Sequence, residues 1–149
     1  MTAKTFLERA GRLDLKIDVK LEQVEHLRSL AYKVTSVIRE NPGSSGGTPK
    51  SALEDAVIKL VMAENMLNAD IDRFVDMKRE LAELLEGIPD EEERLLLNLR
   101  YLCLNRWEDI ARKMNLSLRS VYRLHRNAVD SFGRVLATRE RNDAVSFGS

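Results

Sequence analysis

The sequence predicts an all-α protein: a long antiparallel coiled-coil hairpin followed by a small trihelical helix-turn-helix domain. Three observations carry that prediction. Two long stretches repeat apolar residues in alternating steps of four and three, the period of a coiled-coil seam. A loop rich in Pro and Gly, NPGSSGGTP (41–49), separates them and can continue neither helix. Residues 107–128, WEDIARKMNLSLRSVYRLHRNA, have the spacing of a short helix that crosses a longer one through a tight turn. The composition agrees, since 32% charged and 5% aromatic residues favour a surface-rich helical chain over a β-sandwich.

Residues 3–40 read as one helix whose only internal Gly or Pro is Gly11, with Thr5 and Glu8 at capping-box spacing near its start. Its seam is Phe6, Ala10, Leu13, Ile17, Val24, Leu27, Ala31, Val34 and Ile38, broken only by Lys20. Ser51 and Glu54 open a second helix by the same capping pattern; it runs to about Glu86, where Gly87 and Pro89 close it. Its seam is Leu53, Val57, Leu60, Leu67, Ile71, Phe74, Leu81 and Leu85, interrupted by Glu64 and Lys78. Two helices of similar length joined by one loop fold back most simply as a hairpin, here residues 1–88, with arms about 50 Å long. Val61, Met62, Met66, Val75 and Met77 lie off the seam. A second apolar stripe of that kind suits packing against another hairpin or the C-terminal domain, so the reading expects a homo-oligomer.

The helix-turn-helix domain is assigned residues 89–136. After Pro89, DEEER places acid in a first helical turn, where the helix dipole favours it. LLLNLRYLCL then reads as the supporting helix, with Cys103 as a buried helical thiol rather than a redox or metal site. In the motif, Ala111 is the small residue at the helix crossing, Asn115 takes the turn position that needs positive φ, and Ser117 caps the second helix. Ile110, Met114, Leu116, Val121 and Leu124 fall at core offsets, and Trp107 is expected to plug the core. Residues 137–149 are polar without an apolar period and are expected to be a flexible tail.

Charge separates the two parts. The chain as a whole is neutral, with 24 basic and 24 acidic residues. Residues 106–141, however, hold nine Lys or Arg against four Asp or Glu, whereas residues 1–88 hold 13 against 15. A basic third on a neutral chain suits a local phosphate-facing surface. If the second motif helix enters a major groove, Leu118, Arg119, Tyr122, Arg123 and Arg126 face outward, with Ser117 and Ser120 near the tip. Arg119 and Arg123 are then placed for base edges, because guanine O6 and N7 match a guanidinium fork. Tyr122 and Arg126, with Arg112 and Lys113 from the first helix, are placed for phosphates. The plainer alternative is a basic solvated face on an ordinary helical domain.

Other chemistries find little support. His125 and His26 have no second ligand at metal spacing, and Asp70, Asp72 and Asp76 share their helix with Arg73 and Arg79, as a solvated ion-paired face does. There is no nucleotide-binding loop and no nucleophile–base pair, so neither an enzyme nor a cofactor is expected. No leader peptide is expected from the N-terminal residues, and no apolar run approaches the roughly 18 residues needed to span a bilayer. A cytoplasmic protein without a membrane partner is expected.

Residues 92–130, EERLLLNLRYLCLNRWEDIARKMNLSLRSVYRLHRNAVD, resemble region 4 of bacterial sigma-70-type factors, a module that recognises a promoter element and touches RNA polymerase. The EERLLLNLRYL lead-in, the EDIA core and the S-x-x-x-V opening of the second helix carry the likeness. The whole arrangement also resembles a family of small phage and prophage proteins, late-gene transcriptional regulators related to the RinA and ArpU groups. These pair a coiled-coil hairpin with a C-terminal sigma-like motif, here ending in VYRLHRNAVD. That resemblance implies promoter recognition by Arg119, Tyr122 and Arg123, double-stranded DNA and host RNA polymerase as partners, and a bacterial host cell. There are two departures. Arg106 stands where sigma-type motifs prefer Ser or Thr as a cap, with Asn105 as a substitute, and the promoter-melting region 2 has no counterpart. The resemblance therefore implies an accessory regulator rather than a sigma factor. Two alternatives come from other classes: a DNA-packaging protein resembling a small terminase subunit, and a coiled-coil adaptor that binds only proteins.

Overall fold

The computed structural model describes residues 1–40 and 49–147, and among them all regular structure is helical. The elements are α1 (Ala3–Ala10), α2 (Leu13–Glu40), α3 (Pro49–Leu85), α4 (Glu91–Leu97), a π-helical segment (Asn98–Leu102), α5 (Trp107–Met114) and α6 (Leu118–Phe147). The loop expected over 41–49 lies outside the described residues apart from Pro49, where α3 already begins. Proline is well placed in a first helical turn, because its missing N–H would have no partner there.

The chain divides into two units, and the division departs from the expected boundary at residue 88. One unit joins Met1–Leu13 to the chain from Asp76 onward; the other is Asp14–Val75. The helix expected to run unbroken over 3–40 is interrupted at Gly11 and Arg12. Its first part, α1, packs on α6 and the π-helical segment. The cause lies in what α1 buries. Leu7 and Ala10 are buried, as is Leu13 just beyond the break, and Phe6 meets Phe132 of α6 with ring centroids 5.5 Å apart. Thr2, not Thr5, caps α1, accepting the Thr5 N–H on its hydroxyl at 3.2 Å. At Gly11 the backbone lies against Tyr101: an added Cβ would sit 3.4 Å from both the Tyr101 ring and the Leu7 carbonyl.

The core of this first unit gathers Leu81, Leu85, Ile88, Leu96, Leu97, Ile110, Val121, Ala128 and Phe132, all fully buried. Asp90 caps α4, accepting the Glu93 N–H at 2.9 Å, and Glu91, Glu92 and Glu93 fill the first turn at the positive end of the helix. Glu93 also receives a hydrogen bond from the nearly buried Ser131 hydroxyl, which ties α4 to α6. The tail expected from residue 137 is instead helical, because α6 continues to Phe147.

In the second unit, α2 and α3 run antiparallel. Lys20 pairs with Asp70 at 3.3 Å and Arg28 with Glu64 at 2.8 Å, while the Lys16 ammonium lies 5.6 Å from the Phe74 ring centre. Each step forward along α2 is therefore matched by a step back along α3. Lys20 and Glu64, two of the polar interruptions in the seams, are each answered by an ion pair across the helices. Among the described residues of this unit only Val24 and Phe74 are buried.

Candidate nucleic-acid interface

The turn between α5 and α6 is built by residue type. Asn115 adopts φ 56° and ψ 47°, the left-handed conformation that Asn tolerates better than other side chains. The Leu116 N–H then reaches back to the Ala111 carbonyl at 2.9 Å and the Asn115 N–H to that of Arg112 at 3.3 Å. These two bonds form a Schellman closure and satisfy carbonyls that the helix end would leave open. Ser117 accepts the Ser120 N–H at 3.1 Å and so caps α6. Ile110, Ala111 and Val121 are buried at the junction, and Met114, Leu116 and Leu124 are half-buried beside them.

The start of α5 differs from expectation. Arg106 occupies the cap position without a side-chain hydrogen bond, and Asn105 does not replace it. The Asn105 side chain instead donates to the Cys103 carbonyl and accepts from the Lys113 ammonium, while its main-chain carbonyl accepts from Arg100. Cys103, expected to be buried, is exposed. The supporting helix widens into π geometry over Asn98–Leu102 and stops, so YLCL leaves the helix before its apolar period can bury the thiol. Leu104 follows with φ 56°, a strained conformation for a residue with a Cβ. Three hydrogen bonds hold it: Cys103 N–H to Asn98, Asn105 N–H to Leu99, and the Arg100 guanidinium to Asn105.

Trp107 is half-buried rather than a core plug. Its ring packs edge-on against Tyr122 and His125, with centroids 5.5 and 4.8 Å away, and the Arg100 guanidinium lies 4.3 Å from its centre. His125 Nε2 and the Tyr101 hydroxyl are hydrogen-bonded at 2.8 Å. Burial lowers the His125 pKa, and the charges of Arg100 and Lys4 push it the same way. Burial raises that of Tyr101.

The outward face of α6 is Leu118, Arg119, Tyr122, Arg123 and Arg126, all exposed. Ser117 is also exposed but engaged as the cap, and Ser120 is half-buried with its hydroxyl bonded to Ser117. None of Arg119, Arg123 and Arg126 enters an ion pair among the described residues. Arg112, by contrast, is held by Asp109 at 3.0 Å, and Lys113 by Asn105. The two sets of expected DNA-facing cations therefore differ: among the described residues Arg119, Arg123 and Arg126 of α6 are free of ion pairs, while both cations of α5 are already partnered within the chain.

Sequence reasoning missed Arg100, Tyr101 and α1 as neighbours of this face. Gly11 was the available signal, since a glycine inside a coiled-coil seam has little value there unless the helix breaks or something approaches closely. Among the described residues, no His, Cys, Asp or Glu cluster could hold a metal ion, and no helix is long and apolar enough to cross a membrane.

No curated protein and no solved structure matches the chain. One family matches residues 33–133, from the later part of α2 through the first half of α6. The chain belongs to that family, described as "Protein of unknown function (DUF1492)".

Proposed function

We propose that this chain is a phage-type transcriptional regulator that binds double-stranded DNA sequence-specifically and acts at promoters with host RNA polymerase. The observation that carries the reading is the exposed face of α6. Arg119 and Arg123 stand one helical turn apart without an acidic partner among the described residues, on a helix whose opposite side (Val121, Ala128, Phe132) is locked into a core. A rigid helix carrying unneutralised guanidinium groups can offer bidentate donors to guanine edges. Tyr122 and Arg126 flank the pair and suit phosphates, which set register without reading sequence. The acid-led α4, with Leu96 and Leu97 buried, is formed by the lead-in whose sequence resembles that of sigma region 4. The exposed Val61, Met62, Met66, Val75 and Met77 favour self-association.

Binding of full-length protein to selected and random duplexes tests the reading. Arg119→Ala and Arg123→Ala are each expected to cost about 1–3 kcal/mol on the preferred site and much less on random duplex. Equal costs on both would reduce the two arginines to phosphate clamps.

A further inference from the structure

The strongest unexplained feature outside the α6 face is an open groove between α1, the π-helical segment and α6, with a volume of about 1120 Å³. Tyr101, Trp107 and His125 are among its lining residues. Five cations line it, Lys4, Arg9, Arg12, Arg100 and Arg126, against two carboxylates, Glu8 and Asp130. No ion pair among the described residues involves any of these seven. The groove is therefore a patch of net positive charge that the fold leaves uncompensated. The lowered proton affinity of His125, in part from Arg100 and Lys4, is consistent with a positive potential there.

We propose that this groove is a phosphate track, by which the N-terminal helix α1 holds the backbone of the same duplex that α6 reads. The inference rests on the function proposed above and adds a DNA-binding element that the helix-turn-helix alone does not contain. Two observations make the groove continuous with the α6 face. Arg126 belongs to both, and Trp107 in the groove wall packs directly on Tyr122 of the face. The ligand is an extended polyanion rather than a small anion, because Lys4, Arg9, Arg12 and Arg126 are exposed and spread over α1, the break that follows it and α6. A small anion would need converging, buried donors.

The test uses the full chain and the salt dependence of duplex binding. Removing one phosphate-binding cation reduces the slope of log K against log salt by about 0.9. The triple variant Lys4→Gln/Arg9→Gln/Arg12→Gln should therefore lower the slope by about 2–3 while leaving the ratio of selected to random affinity unchanged. Restoring charge with Lys4→Arg/Arg9→Lys/Arg12→Lys should restore the slope, which separates charge from any change in folding. A control triple in the other unit, Lys33→Gln/Arg39→Gln/Lys59→Gln, should leave it unaltered. An equal fall in slope for the α1 and control triples would overturn the inference in favour of overall charge. An unchanged slope in the α1 triple would overturn it while leaving the α6 reading intact, provided that Arg119→Ala/Arg123→Ala still abolishes site preference. Wild-type protein that ignores duplex DNA at low salt would remove both.

Discussion

In the unit that contains α6, Leu7 of α1, Leu85 of α3, Leu96 of α4, Ile110 of α5 and Phe132 of α6 itself are all sealed from solvent. Along α2 and α3, by contrast, only Val24 and Phe74 are buried among the described residues of Asp14–Val75, and seam residues such as Ile17, Leu27, Leu60 and Leu67 are half-covered. The apolar pattern is equally regular in both regions, so periodicity alone does not decide burial. Two helices can shield a seam only from one side each, whereas several elements converging from different directions enclose one. The first region owes its stability to enclosure and can hold a functional face rigidly. The second relies more on partial burial and on cross-helix ion pairs.

Core truncation gives the largest test of that contrast. Phe132→Ala should cost about 3–5 kcal/mol in denaturant unfolding, as for other large buried aromatics. Leu67→Ala, in the half-covered seam, should cost clearly less than the roughly 2–5 kcal/mol usual for a fully buried leucine. Equal costs would mean that the α2–α3 seam is covered by something further, a second copy first of all.

A smaller effect is expected at the α5–α6 turn. Asn115→Ala should destabilise by about 1 kcal/mol, because a Cβ without a compensating polar group disfavours the left-handed backbone, while Asn115→Gly should be close to neutral. A neutral Asn115→Ala would show that the turn can relax.

His125 tests the same region by pH. Its folded pKa lies below the ordinary value of 6.5, chiefly through burial, so the unfolded chain takes up this proton first as the solution is acidified. Its contribution to stability is intact at neutral pH and is lost as the pH falls below about 6.5 towards the folded pKa. His125→Gln should flatten that part of the stability profile measured by thermal melting. A profile equally steep in the variant would assign the acid sensitivity to other groups.

The smallest expected effect is the pairing between α2 and α3. A double-mutant cycle on Lys20 and Asp70 should return about 0.2–1 kcal/mol, falling with added salt, since both side chains are partly exposed. A coupling well above that range would make the polar interruptions a main source of stability in the second unit.

Much of this was legible in the sequence where a residue type has one strong local preference. Asn115 in the left-handed turn, Ser117 as a cap and acid in the first turn of α4 follow from backbone chemistry that neighbours rarely override. Where the outcome depended on distant partners, the pattern misled. A seam that includes Phe6 and Ala10 reads the same whether it packs on α3 or on α6, and only the position of Phe132 decides between them. Cys103 and Asn105 went astray because a π-helical segment ends the supporting helix at Leu102, before either residue, and the apolar run YLCL carries no mark of it. The outward face of α6 was readable in full, since Val121 and Ala128 fix which side is buried. The cations of α1 could not be added to it until the break at Gly11 brought that helix to the same unit.

Selection of bound fragments from a random duplex library, by wild-type chain and by Arg119→Ala/Arg123→Ala in parallel, decides whether α6 reads base sequence. The wild type should enrich a shared motif containing guanine, and the double variant should bind duplex without enriching it. Failure of the wild-type chain to retain duplex DNA even at low salt would contradict that role for α6.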